Sequence, residues 1–307
     1  MILNQDNKDT ALIRNLEFKA KEIVSGFLIG QHKSPLHGYS VEFAEHKMYN
    51  MGESVRHIDW KLYGRTDKLY QKKYEEETNL RCQIVIDTSS SMHYPKGKLT
   101  NKLSFSVYSA AALMQLMIQQ RDGVGLSLCS SKIDKHFSAK LNHAHIQYLY
   151  LQLSALLEDN QKVFSTTDIA GALHQLAEVL NKRSLVIIFS DMMQNVENMD
   201  DIFSALLHLK HRKHDIIVYH TLAYSEELNF DFDTRPYQFI DMETKEVVKV
   251  NVPEIKEFYL NSMNAFYHQL RDKCTQYKID FVPADINENC YQVLQSYLIK
   301  RNKIIKT

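Results

Sequence analysis

The sequence predicts an α/β protein: a doubly wound, mostly parallel sheet with helices on both faces, preceded by an N-terminal helix and β extension. Three observations predict this. From residue 80 onward, short apolar runs alternate with helix-length amphipathic segments, which is the order of βαβ units. Two of these runs, "CQIVID" (82–87) and "SLVIIFSD" (184–191), are almost continuously apolar, as strands covered on both faces are. With 307 residues, 44% of them hydrophobic, the chain can also bury a core of that size.

The elements follow in order. From Asp6 to about Ile29, residues Ile13, Leu16, Ala20, Ile23, Val24 and Phe27 share one helical face, so an amphipathic helix opens the chain. Between 34 and 80, "YSVEFAEHKMY" and "KLYQKKYEEE" read as partly alternating strands, joined by the turn-rich link "NMGESVRHIDWKLYGRTD". Residues 1–79 are therefore read as an extension and 80–307 as the main domain. In the main domain, strand 82–87 leads to a helix at about 98–121, strand "VGLSLCS", a partner strand "KIDKHFSA" and a helix at about 143–157. A loop "FSTTD", a helix at about 168–181, strand 184–191, a helix at about 198–212 and strand "DIIVYHTLA" come next. A β-hairpin insertion at about 236–251, a helix near 254–277, strand "IDFVP" and a helix at about 287–300 complete the pattern.

Composition excludes several classes. Lys+Arg and Asp+Glu both number 37, so no global field draws the chain to nucleic acid or an anionic membrane. Cys82, Cys129, Cys274 and Cys290 are far apart and form no CxxC pair, which points to reduced core thiols rather than a disulfide scaffold or zinc knuckle. The N-terminal residues place acidic and amide groups where a signal peptide would be apolar, and the richest apolar patch, "SAAALMQLMI", has the length of a core helix. A cytoplasmic protein without membrane insertion is expected.

Chemistry concentrates where strands end. "DTSSSM" (87–92) and "FSDMM" (189–193) close apolar strands, and "STTD" (165–168) precedes a helix. If the three loops share one sheet edge, Asp87, Ser89, Ser91, Thr167 and Asp191 converge. Two carboxylates and three neutral hydroxyls suit Mg²⁺, with Mn²⁺ or Ca²⁺ as substitutes, because such ions prefer hard oxygen ligands. Two carboxylates balance the ion's charge, so it can still take one acidic oxygen from outside.

The pattern "DTSSSM", "TTD", "FSD" resembles the metal-ion-dependent adhesion site (MIDAS) of von Willebrand factor A domains, Asp-x-Ser-x-Ser followed by a later Thr and a later Asp. The resemblance implies that Ser89, Ser91 and Thr167 bind the metal through hydroxyls, and Asp87 and Asp191 directly or through water. The Thr loop reads Ser165, Thr166, Thr167, Asp168 in place of the usual Gly-Gly-Thr, so the choice between Thr166 and Thr167 stays open. Upstream, Gly38, Ser40, Glu42, Phe43, Tyr49, Gly52, Arg56, Ile58, Asp59, Trp60 and Arg65 resemble the bacterial family known as domain of unknown function 58. The chain departs from that family at Lys47, Glu53 and Ser54. The likeness runs from about residue 25 to 300 and implies a von Willebrand factor A-like fold with a MoxR-type AAA+ ATPase as partner. The chain would then be an adaptor in protein maturation or complex assembly.

Plainer readings compete. Asp87 and its hydroxyl run could simply cap a helix. Arg56, Asp59, Trp60 and Arg65 could dock a partner, or merely anchor their segment through an ion pair and an aromatic ring. "HLKHRKHD" (208–215) fits a solvated basic helix end better than a zinc site, and "RDGVG" (121–125) is a turn without dinucleotide-binding spacing. An enzymatic alternative is a Mg²⁺-dependent phosphohydrolase of haloacid-dehalogenase type with Asp87 as nucleophile, but Ser89 stands where that chemistry needs a second aspartate. A serine nucleophile among 89–91 has neither GxSxG nor a His-Asp pair to support it. The expectation is a non-enzymatic, metal-dependent interaction module.

Overall fold

The apolar stripe from Ile13 to Phe27 lies on a single helix, α1 (Ile2–Gln31), and Leu16, Ala20, Val24 and Phe27 bury against the main core. The computed structural model describes residues 2–31, 46–48, 60–67, 69–72, 80–98, 100–158, 168–180, 183–193, 199–242 and 246–305. It divides into two units, 1–28 with 80–307, and 29–79. Unlike the boundary drawn at 79/80, this division groups α1 with the larger unit, whose core completes the helix's buried face.

In the smaller unit, β1 (His46–Met48) pairs antiparallel with β2 (Tyr70–Lys72), with His46 opposite Lys72. The link read as turns contains a helix, α2 (Trp60–Thr66). Its last turn is closed locally: the Thr66 hydroxyl donates to the Leu62 carbonyl at 2.8 Å, and the N–H of Asp67, at φ 51°, donates to Tyr63 at 2.9 Å. Gly64 and the polar Arg65-Thr66-Asp67 end suggested a loop, but they sit in that last turn and its cap.

The larger unit is a mixed α/β structure around a six-stranded sheet. Its strands are β3 (Arg81–Asp87), β4 (Gly123–Cys129), β5 (Ile133–Lys140), β6 (Leu185–Ser190), β7 (Asp215–Leu222) and β10 (Asp280–Asp285). Across the sheet they run β10-β7-β6-β3-β4-β5, all pairs parallel except β4 with β5. A separate hairpin, β8 (Pro236–Ile240) and β9 (Val247–Asn251), pairs Pro236 with Asn251.

Successive residues of β3 point to opposite faces. Cys82, Ile84 and Ile86 enter one core with α1, α3 (Lys102–Gln119), α4 (His143–Glu158) and α8 (Tyr291–Ile305). Val85 enters the other with α5 (Ile169–Val179), α6 (Met199–His211) and α7 (Val252–Gln276). Both faces are covered, which is why β3 and β6 read as apolar runs. Among the described residues no helix is long and apolar enough to cross a membrane.

Two local devices fix the ends. Helix α3 begins at Lys102 rather than near 98 because Asn101 makes a capping box with Ser104: Asn101 Oδ1 accepts from Ser104 N at 2.7 Å, and Ser104 Oγ accepts from Asn101 N at 2.9 Å. At the amino edge of the sheet, buried Asp122 accepts from Arg301 Nε at 2.5 Å, Tyr297 at 3.0 Å and Leu80 N at 3.2 Å, tying α8 to the start of β3 and β4.

Candidate metal centre

The chain leaves β3 for β4 on one side of the sheet and returns to β6 on the other. This reversal makes the carboxyl ends of β3 and β6 the sheet's switch point, the place where open α/β sheets commonly hold ligands. Because Ile86 pairs with Phe189, Asp87 and Ser190 end their strands side by side, and Asp191 follows at once.

Backbone and hydroxyl groups aim these carboxylates. Thr88 fastens the loop to β4, its N–H and hydroxyl donating to the Cys129 carbonyl at 2.7 and 3.0 Å. Asp87 Oδ1 accepts from Ser89 N at 2.9 Å, and Oδ2 accepts from the Ser190 hydroxyl at 2.7 Å. The Ser89 hydroxyl lies 3.1 Å from the Ser91 hydroxyl, and these two hydroxyls favour the ionised forms of Asp87 and Asp191 respectively. Asp87, Ser89, Ser91 and Asp191 are thus gathered at the ends of two adjacent strands. Three of the four, all but Ser91, have no exposed surface. Asp191 is held further by Met193 N, 3.0 Å from Oδ1, and by His220 Nε2, 2.9 Å from its carbonyl. Met192, between these contacts, adopts φ 51°, a conformation unusual for a long side chain.

Thr166 and Thr167 lie outside the described residues. Their neighbour Asp168 caps α5, its Oδ1 accepting from Gly171 N at 2.8 Å. Arg56 and Asp59 also lie outside the described residues; Trp60 opens α2, and Arg65 is exposed in its last turn.

The structure adds a residue that the motif reading missed. Lys102, fully buried, places Nζ 2.7 Å from Asp191 Oδ2 and 2.6 Å from Glu227 Oε1. Glu227 belongs to a π-helical turn, Tyr224–Leu228, after β7. Its Oε2 accepts from Ala223 N and its carbonyl from the Tyr259 hydroxyl, both at 2.7 Å. Tyr94 and Glu227 also line a cavity of about 400 Å³, walled by Phe230, Phe239 and Tyr259. Nothing local in the sequence singles Lys102 out from Lys96 and Lys98; only the Asn101 capping pattern could have shown that it starts a helix.

Electrostatics separate the carboxylates. Burial, then the charge of Asp191, raises Asp87 to about 6. Burial acts on Asp191 in the same sense, but the Lys102 ammonium outweighs it and holds that carboxyl below its usual range. Burial disfavours charge on Lys102 too, yet Asp191 and Glu227 raise its affinity for the proton. Glu227 is shifted upward, by burial first, despite its contact with Lys102.

The oxygens gathered here are of the kind a hard divalent ion would draw on. Asp87 is a buried carboxylate that no cationic side chain pairs with among the described residues, and hydroxyls flank it. With all groups ionised, Asp87, Asp191, Glu227 and Lys102 carry a formal surplus of two negative charges, which one divalent ion balances. The oxygens are mixed in kind: among the described residues no three His, Cys, Asp or Glu side chains gather as a metal-binding group. Ser89 and Ser91 would supply the remaining ligands.

The family described as "Protein of unknown function DUF58" matches residues 45–265. The chain belongs to the DUF58 family. Uncharacterized proteins of Mycobacterium bovis and Mycobacterium tuberculosis are each 24% identical to this DUF58 chain over 188 residues. The match takes in 61% of this chain and 58% of each relative, so it spans less than two thirds of their length. Among solved structures, the conserved hypothetical protein BatB from Bacteroides thetaiotaomicron is 12% identical with a TM-score of 0.42, over 72% of this chain and 98% of that one. A mutant of the PilB minor pilin from Streptococcus sanguinis is 8% identical with a TM-score of 0.44, over 78% and 65%.

Proposed function

We propose that this DUF58 chain is a non-enzymatic interaction module that holds Mg²⁺, or Mn²⁺ or Ca²⁺ in its place, on Asp87, Ser89, Ser91 and Asp191, with Thr167 as the further ligand. When bound, the ion would supply a Lewis-acidic position for a carboxylate of a protein partner. The observation that carries this reading is the gathering of Asp87, Ser89, Ser91 and Asp191 at the point where the sheet's winding reverses, with the two serine hydroxyls 3.1 Å apart between carboxylates that end β3 and follow β6. The chain's own groups orient these oxygens: Ser190 and Ser89 N fix Asp87, while Met193 N and His220 fix Asp191. The von Willebrand factor A-like character of the fold and a MoxR-type AAA+ ATPase as the partner belong to the same proposal, through the family resemblance.

The phosphohydrolase alternative gains no support from the geometry. A hydroxyl, that of Ser89, stands two residues after Asp87 in place of a general acid. The test is surface-plasmon binding of the purified MoxR-type ATPase from the same organism. Binding should require Mg²⁺, cease in chelator, and disappear in Ser89→Ala and Asp191→Asn. Binding that survives chelator and both substitutions overturns the metal-dependent reading; no binding of the wild type in Mg²⁺ overturns the assigned partner.

A further inference from the structure

Lys102 is in an unfavourable place for a cation. It is fully buried, and it is the first residue of α3, where the helix end already carries a partial positive charge. Two carboxylates offset this, and one of them, Asp191, belongs to the proposed cation site. The ammonium takes Asp191 Oδ2 at 2.7 Å while Oδ1 accepts the Met193 N–H at 3.0 Å, so both oxygens are engaged. A divalent ion drawing on Asp191 would therefore meet a positive charge on the same carboxylate. Glu227, 2.6 Å from the other side of the ammonium, offers it a second partner.

From this geometry we infer that Lys102 is an internal competitor for the cation site: it neutralises Asp191 when no ion is bound and yields by resting on Glu227 when one is. The inference depends on the cation reading above. It makes Lys102 a positioning residue that sets affinity without being a ligand. Glu227 becomes the group that lets the ammonium give way. It also implies opposite effects for the two partners of one salt bridge, which a purely structural role would not produce.

The experiment is titration of the purified chain with Mn²⁺ alone, followed by electron paramagnetic resonance of the free ion, for five proteins. Lys102→Met combined with Glu227→Gln removes one charge of each sign, so the site's formal charge is unchanged, while Asp191 loses its ammonium partner. That variant should bind Mn²⁺ about tenfold tighter or more than wild type. Glu227→Gln alone leaves the ammonium only Asp191 and should bind several-fold more weakly. Asp87→Asn should abolish binding in either background. Equal affinity of the wild type and the double variant overturns the inference while leaving the cation reading intact, and absence of binding in every protein overturns both. Binding by the double variant but not by wild type overturns the inference, since the ammonium then never yields, and removes the cation reading for the natural chain. Should the double variant fail to fold, Glu227→Gln decides alone, since affinity equal to or tighter than wild type overturns the inference.

Discussion

Asp87 feels the charge of Asp191 and His220 bonds the Asp191 carbonyl, and their protonation pulls stability in opposite directions. Burial and Asp191 raise Asp87 from 3.8 to about 6, so between those values the folded state keeps a proton that the unfolded chain has lost, and stability rises as pH falls. Burial lowers His220 from 6.5 to about 4, so over nearly the same range the unfolded chain takes up a proton that the folded state refuses, and stability falls as pH falls. In metal-free protein these two contributions should largely cancel between pH 6.5 and 4. Urea denaturation at the two pH values should expose each one: Asp87→Asn becomes less stable in acid and His220→Gln more stable, and the same sign for both would refute the assignment. At this scale the sequence was readable where an apolar run stops at Asp and Ser, which marked Asp87, Ser89, Ser91 and Asp191 as edge residues. It was silent where partners are remote. Lys102 and Glu227 are 125 positions apart, and no spacing rule joins them.

Elements whose periodicity is enforced by burial were legible, and those fixed by single contacts were not. Helix α1 could be read because Leu16, Ala20, Val24 and Phe27 repeat at helical spacing and are all buried. Phe27→Ala should cost about 3 kcal/mol in chemical denaturation if α1 is part of the cooperative core, and a negligible change would mean that it is not. Helix α2 was hidden, since its end depends on the Asp67 conformation and a Thr66 back-bond. The β4–β5 pairing carries a bulge between Val124 and Leu126, and no alternation pattern announces it. There a Cβ on Gly125 would lie 2.6 Å from the Phe137 carbonyl oxygen and 2.7 Å from Ala139 N. Gly125→Ala should therefore destabilise by about 1–3 kcal/mol through overpacking, again measured by denaturation. The Asp122–Arg301 pair at the amino edge is a stronger contact: Arg301→Met strands a buried carboxylate and should cost about 3–5 kcal/mol, leaving Mn²⁺ affinity at the far edge unchanged.

For the whole molecule, the winding of the sheet is what turns separate loops into a site. The alternation of apolar runs and helices carried that information, because parallel strands need crossover helices and the connections keep one hand. It predicted that 87–91 and 189–193 share an edge, and the β3–β6 pairing brings them together. What it could not carry is the charge balance at that edge, since Lys102 and Glu227 arrive from α3 and from the turn after β7. The site is accordingly an oxygen cluster with its own ammonium beside it. The two edges differ in kind: the Asp122 cluster closes the amino edge, and the carboxyl edge gathers Asp87, Asp191, Glu227 and Lys102. Anomalous diffraction from crystals grown with Mn²⁺ addresses this most directly. The account predicts a single strong peak about 2.0–2.3 Å from the Ser89 and Ser91 hydroxyl oxygens, with Lys102 withdrawn from Asp191 toward Glu227. No peak at that edge at saturating Mn²⁺, with Lys102 still seated on Asp191, would contradict it.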